Sequence, residues 1–308
     1  MSKYILRRLL LMIPVLIGVT FLVFFIISLT PGDPAVMILG NGATEEAISE
    51  LREEMGFNEP VIIQYGNYMK DLLTGDMGTS YSTGKSVGSE IGQRFPNTFK
   101  LTLSAIVLSV MISIPIGVVS ATRQYSLFDN IGMIIALIGI SMPSFWVGLI
   151  LIIIFALNLR WLPSGGMDGL KSLILPAFTL AIASTASITR TTRSSMLEVI
   201  RQDYIDTAKA KGVSRGVVIR KHALKNALIP AITVIGLEFG VLLGGAVLTE
   251  TVFSWPGIGR LMVESIQRKD TPMVLGCIIV FAVAFSLVNL LIDILYSFID
   301  PRIKASYN

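Results

Sequence analysis

Charge is what this chain of 308 residues has least of: 15% of its residues are Asp, Glu, Lys or Arg, and 53% are hydrophobic. A soluble domain carries roughly 25% charged residues. Too few charges remain to solvate a globule of this length, which excludes one large soluble domain or two ordinary ones. The single cysteine, Cys277, excludes a disulfide framework and a Cys-rich metal site, and the single histidine, His222, argues against a His-based metal centre or triad. No Walker motif, zinc-protease helix or nucleophile elbow occurs. The chain is therefore expected to hold no catalytic residue, metal or cofactor, and energy for any work must come from another chain or an ion gradient. Its net charge of +4 does not point to nucleic acid, because the basic residues alternate with apolar runs of membrane length. The lipid bilayer is the expected surrounding.

A transmembrane helix needs about 20 mostly apolar residues, at about 1.5 Å of rise each against a core of about 30 Å. Six stretches qualify, at 9–30, 99–121, 131–157, 171–189, 227–249 and 273–296. The third is too long for an upright helix and contains Pro143, which predicts a tilt, kink or break there. The fourth is the weakest, carrying Ser184, Thr185, Ser187, Thr189 and Pro176. The first follows Lys3, Arg7 and Arg8 like a signal peptide, but it is too long for an h-region and no cleavage pattern follows, so a retained anchor is expected.

Six crossings put 1–8, 122–130, 190–226 and 297–308 on one side. These pieces hold fifteen Lys or Arg and five acids, a net +10, whereas the other side, counting Lys100 and Lys171 at the outer ends of their spans, holds ten basic and fourteen acidic residues, a net −4. Basic residues collect on the cytoplasmic side, so both termini are expected there. Dropping the fourth span would place the nine basic residues of 190–226 outside, which argues for keeping it.

Residues 31–98 form the one sizeable external segment. Thr44 can cap a helix with Glu45 and Glu46 in its first turn and Ile48, Leu51 and Met55 on one face, ended by Gly56. Pro60 can open a second, with Tyr65, Tyr68, Met69 and Leu72 available for packing. A small helical cap is predicted. Shorter external loops follow at 158–170 and 250–272. Thr83-Gly84-Lys85-Ser86 ends like a phosphate-binding loop, but five residues separate Gly84 from Gly78 where that motif has four between its glycines, and no strand precedes it. It reads as a turn with a solvated lysine.

The segment 190–226 is long for a connection between spans, and loops of this length are usually functional or disordered. Tyr204 to Gly212 reads as a short helix ending at glycine, with Tyr204, Ala208 and Lys211 along one face. Ser214 can cap a second helix carrying Val217, Val218, His222 and Leu224. Such a unit is either a docking knob for a cytosolic partner or a basic helix lying on anionic lipid.

This segment resembles the EAA loop of ABC importer permeases, in which a short coupling helix sits in a cleft on the ATPase. Asp206-Thr207-Ala208 and Gly212 stand where the family has Glu-Ala-Ala and its following glycine. The general pattern has Leu-Pro 12 and 13 residues after that glycine; this chain has Leu224-Lys225, with Pro230 arriving later. That variant resembles the peptide/nickel branch, as do Pro31-Gly32-Asp33-Pro34, Leu51-Arg52-Glu53-Glu54-Met55-Gly56, Gly75-Asp76-Met77-Gly78, Phe253-Ser254-Trp255-Pro256-Gly257-Ile258-Gly259 and Asp300-Pro301-Arg302. The likeness runs through about residues 4–303. It implies an all-α membrane protein with the type I importer permease fold, the first permease of a dipeptide/oligopeptide-type importer in a bacterial inner membrane. The implied partners are a second homologous permease, two ATPase domains that bind the ATP and Mg, and an external substrate-binding protein. The resemblance assigns ATPase coupling to Tyr204, Asp206, Thr207, Ala208, Lys211 and Gly212, and makes the loop with Trp255, Pro256 and Gly257 a docking place for the binding protein.

Two acids lie within spans, Glu238 in the fifth and Asp293 in the sixth. Each costs about 2.5–3.5 kcal/mol at a helix centre, so each should face protein or water. Ser286, Asn289, Asp293, Tyr296 and Ser297 share one helical face, a polar seam serving either helix contacts or, with Glu238, a translocation pathway. Gly236, Gly240 and Gly244 recur every four residues as a surface for close helix approach, and Glu238 lies roughly 200° round from Gly236. The expected mechanism is alternating access. The solute stays open among di- and oligopeptides, glutathione and nickel or metallophore complexes. A stand-alone secondary transporter or channel using the two acids as ion sites is the rival of another class, though no internal repeat supports it; a membrane scaffold without a pathway is a second.

Overall fold

A computed structural model describes residues 2–29, 32–40 and 42–299. Among these the regular elements are all helical, and the only strand-like feature is a single bridge between Thr79 and Ser86. The helices are α1 (Ser2–Ser28), α2 (Pro34–Leu39), α3 (Glu45–Glu54), α4 (Val61–Leu73), α5 (Val87–Thr122), α6 (Leu127–Ser141), α7 (Ser144–Leu151), α8 (Leu170–Ile200), α9 (Asp203–Ala210), α10 (Arg215–Val217), α11 (Leu224–Val252), α12 (Ile258–Gln267) and α13 (Thr271–Ile299). Wider π-helical turns at Ile152–Asn158 and Val218–Ala223 extend α7 and join α10 to α11.

Five helical stretches are long and apolar enough to cross a membrane, namely Leu10–Ser28, Val87–Thr122, Leu170–Ile200, Arg215–Val252 and Thr271–Ile292. A sixth crossing exists if Leu127–Ser141 and Ser144–Asn158 count together, and these meet at 106°. The helix expected over 131–157 is thus interrupted at Pro143. Pro143 has no amide hydrogen to continue α6, and Met142 before it is extended at φ −83° and ψ 132°.

Three helices run beyond the apolar stretches read from hydropathy. The second span was expected to begin at 99, yet its helix begins at Val87, inside the segment assigned to the cap. The fourth was expected to stop at 189, yet α8 runs on to Ile200; the fifth is continuous with the helix from Arg215. Polar residues end an apolar run without ending a helix, because backbone hydrogen bonding continues once the helix leaves the lipid. Only short breaks therefore interrupt the helical path through 190–226, around 201–202 and 211–214.

Two compact units make up the chain, one from Ser2–Thr98 with Pro256–Ala284, the other from Phe99–Trp255 with the segment from Phe285 onward. In the first, Asp33 caps α2 through the Ala35 amide at 2.9 Å and binds the Arg52 guanidinium, Nε at 2.7 Å. Burial opposes ionisation of Asp33, but Arg52 and the amides of Ala35 and Val36 outweigh it and hold the carboxyl below its ordinary range. Thr44 caps α3 as expected, and Gly56 takes φ +69° after it. Met55, expected on the apolar face of α3, is instead 44% exposed at its end. Tyr65 of α4 is buried between Phe21, Phe24 and Leu275, and its hydroxyl donates to the Ile17 carbonyl at 2.9 Å.

The second unit is organised by α8 and α11. Its core joins Leu101, Ala105, Leu180, Ile188, Leu242 and Trp255. Gly117 brings α5 against α8 so closely that a Cβ there would lie 2.7 Å from the Thr192 Cβ and 3.0 Å from the Thr189 carbonyl.

Candidate functional site

The segment resembling a coupling helix folds as α9, preceded by Gln202 and ended by Gly212 at φ +75°. A residue with a Cβ is disfavoured in that conformation, which gives the glycine its place. Ile205 and Ala208, three residues apart, turn into a cluster with Met196, Val218, Ala223 and Ala227. Tyr204, Asp206, Thr207 and Lys211 are exposed. The expected face of Tyr204, Ala208 and Lys211 is corrected accordingly: Ala208 is 9% exposed and belongs with Ile205 on the inward side. Ala208 lies in the cluster through which α9 packs on the π-helical turn Val218–Ala223, with Met196 of α8 in the same cluster.

The exposed residues are held in place by local bonds. The Tyr204 hydroxyl accepts from Asn226 Nδ2 at 2.8 Å. The Thr207 hydroxyl donates to the Asp203 carbonyl at 3.0 Å, and Lys209 Nζ donates to Asp206 at 2.8 Å. The result is a short, charged helix presented on an apolar base.

In the fifth span Glu238 is half-buried and accepts from the Ser184 hydroxyl at 2.8 Å, which joins α11 to the polar part of α8. Ser184, one of the residues that made the fourth span look weak, thus serves as a partner for the half-buried acid. Two of the three glycines pack as expected. A Cβ on Gly236 would meet Ile292 at 2.5 Å and one on Gly240 would meet Phe285 at 2.8 Å, whereas one on Gly244 would meet nothing within 4 Å. Gly244 is therefore corrected to a position outside this contact.

Asn289 lies on the Gly240 side, 3.8 Å from the position of that Cβ, and its amide donates to its own helix at the Phe285 carbonyl, 3.0 Å away. Two helical residues span roughly 200°, so Asn289 and Glu238 belong to opposite sides of α11. The structure does not bring them to one surface. The side chain of Asp293 lies outside the described residues, as do Pro31 and Asp300-Pro301-Arg302.

Trp255, expected on a loop that docks the binding protein, is 0% exposed and packs in one cluster with Leu101, Leu180 and Leu242. An indole buries too much apolar surface to remain in solvent when a core is within reach. Gly257 is buried as well, and the half-buried Pro256 gives its carbonyl to Asn97 Nδ2 at 2.9 Å.

Sequence reasoning missed Asp270, which is 0% exposed. Its carboxylate accepts from the Ser80 hydroxyl, from the Tyr81 amide at 3.1 Å, and from the Ser82 amide and hydroxyl at 3.3 and 2.9 Å. Burial, with the Asp270 charge beside it, pushes the Tyr81 phenol up to about 12. The signal was present in the Ser-Tyr-Ser of 80–82, but its acceptor is about 190 residues away. Asp270 thereby fixes the turn containing the false phosphate loop. Lys85 in that turn is 69% exposed at its side chain and pairs with Glu90 at 3.3 Å.

Comparison with known proteins agrees with this architecture. Residues 113–305 match the family model described as "Binding-protein-dependent transport system inner membrane component", and residues 1–102 match its N-terminal counterpart. The dipeptide transport system permease protein DppB of Alkalihalophilus pseudofirmus is 50% identical, over 99% of this chain and 100% of that protein. The glutathione transport system permease protein GsiC of Salmonella choleraesuis is 42% identical, over 99% of each chain. The oligopeptide transport system permease protein AppB of Bacillus subtilis is also 42% identical, over 99% of this chain and 100% of that one. A solved structure of the MetNI methionine ABC transporter in an inward-facing conformation shares the fold, with a TM-score of 0.58 and 18% identity over 68% of this chain and 96% of that chain. With both family models together spanning nearly its whole length, the chain belongs to the inner-membrane components of binding-protein-dependent transport systems, as a multi-pass, non-catalytic subunit.

Proposed function

We propose that this chain is one of two homologous permeases in an ATP-driven importer that moves di- or oligopeptides into the cell by alternating access. The observation carrying this reading is α9, a charged helix seated through Ile205 and Ala208 on a cluster built from the π-helical turn Val218–Ala223 and Met196 of α8. Its sequence likeness to a coupling helix makes the exposed Tyr204, Asp206, Thr207 and Lys211 the contact with an ATPase. The choice of peptides draws on the likeness to dipeptide and oligopeptide permeases, and the glutathione permease relative favours glutathione as the second reading. Both termini then lie in the cytoplasm, beside two ATPase domains that bind ATP and Mg. The cap helices α2–α4 and the turn at 79–86 face the external binding protein. Purified with its partner chains, the complex should show ATPase activity that rises only with binding protein loaded with a peptide; stimulation by glutathione alone would select the second reading. Transport without nucleotide or ATPase chains would overturn both in favour of a secondary transporter.

Two variants test the assigned residues. An Ala208→Leu complex that still assembles should lower uptake about fivefold or more while ATP hydrolysis continues, because a larger side chain lifts α9 from its base. Parent-like uptake per ATP would refute the coupling role. Glu238→Gln keeps an oxygen to accept from Ser184 and removes only the charge, so assembly should persist while peptide uptake falls several-fold. Unchanged uptake would make Glu238 a structural partner of Ser184 alone.

A further inference from the structure

The turn between α5 and α6 has no role in the reading above, yet it receives polar contacts from three arginines of the 190–226 segment. Arg193 of α8 binds Asp129 at the start of α6 through two bonds, Nε to Oδ1 at 2.6 Å and Nη2 to Oδ2 at 2.7 Å. Arg201 Nη2 donates to Gln124 Oε1 at 3.4 Å, and Arg215 Nη2 donates to the Thr122 carbonyl at 3.2 Å. Asp129 is 1% exposed, and Oδ2 also accepts the Tyr125 amide at 3.0 Å. Tyr125 is held at φ +61°, a conformation a tyrosine rarely adopts, which closes the turn onto the carboxylate.

The position of this pair matters more than its strength. Arg193 lies about one helical turn before Met196. Met196 is 0% exposed and shares the cluster containing Ile205 and Ala208 of α9. Apolar contacts between helices can slide, but a bidentate guanidinium–carboxylate pair fixes both spacing and orientation. Removing Arg193 leaves the buried Asp129 carboxylate uncompensated, so the pair resists separation during movement. The element held is α6, the first half of the span broken at 106°.

We infer that Asp129 and Arg193 are positioning residues that make α6 follow α8 when α9 is displaced. The α5–α6 turn is thereby a second component of the coupling apparatus, and this rests on the importer reading above. A purely static strut would share the contacts but would leave coupling unaffected once the complex had assembled.

The experiment uses the complete complex in proteoliposomes, measuring peptide uptake and ATP hydrolysis together. Asp129→Asn and Arg193→Lys are compared with parent and with the exchanged pair Asp129→Arg/Arg193→Asp, each checked for assembly by size exclusion. Arg193→Lys keeps the charge and loses the planar fork, so it tests orientation if Asp129→Asn does not assemble. ATP consumed per peptide should rise about two- to thirtyfold in the single variants, and the exchanged pair should return part of the way to parent. Assembled single variants with the parent ratio would overturn the inference, whatever their yield. Absence of binding-protein-dependent ATPase stimulation in the parent complex would instead overturn the importer reading, so the two failures are separable.

Discussion

Trp255→Ala is expected to prevent accumulation of the folded chain and not merely to weaken docking of a binding protein. Trp255 is completely buried in a core cluster, and its amide donates to the Glu250 carbonyl at 2.8 Å. Truncating a buried tryptophan costs about 3–5 kcal/mol, a large fraction of the roughly 5–15 kcal/mol that stabilises a typical domain. Thermal unfolding in detergent, followed by size exclusion, should show a collapsed monodisperse peak or a strongly lowered midpoint. Trp255→Phe retains most of the buried surface and should recover most of the yield. An alanine variant that assembled normally and lost only binding-protein affinity would restore the docking role read from the sequence.

Asp270→Ala should free the turn at 79–86 from the rest of its unit. The substitution removes the acceptor for the Ser80 and Ser82 hydroxyls and for the Tyr81 and Ser82 amides. Each buried donor left unpaired costs about 1–3 kcal/mol. The turn retains its own bonds, Ser80 amide to Lys85 carbonyl and Gly84 amide to Ser80 carbonyl, both 2.9 Å. Lys85 supplies a site for trypsin within the turn. Cleavage after Lys85 should quicken strongly relative to cleavage after Lys209 or Lys211, which lie in the other unit and serve as internal references. Equal acceleration at all sites would indicate global unfolding, and parent-like cleavage at Lys85 would show that Asp270 does not hold the turn.

Much of the architecture was legible because the membrane restricts it. A backbone surrounded by lipid must satisfy its own hydrogen bonds, so long apolar runs in this chain become helices. Helix caps were legible for a local reason: Thr44 and Gly56 act on groups a few residues away. Hydropathy was least informative where polar sequence continued a helix, at 87–98 and 190–200. The candidate coupling helix was found from Asp206 to Gly212, but its inward face was not. Composition cannot indicate that Ala208 rests beside Met196 and Val218.

The sequence by itself pointed to an all-helical membrane chain, and it located α9, the break at Pro143 and the two acids within apolar runs, Glu238 and Asp293. Those properties depend on composition and on relations among neighbouring residues. Tertiary structure alone decided which side chains are available. It buried Trp255, set Asn289 and Glu238 on opposite sides of α11, left Gly244 unpacked, and paired Asp129 with Arg193 and Asp270 with Ser80. The physical reason is that burial and ion pairing depend on which distant segments meet, and those meetings involve residues some 60 to 190 positions apart.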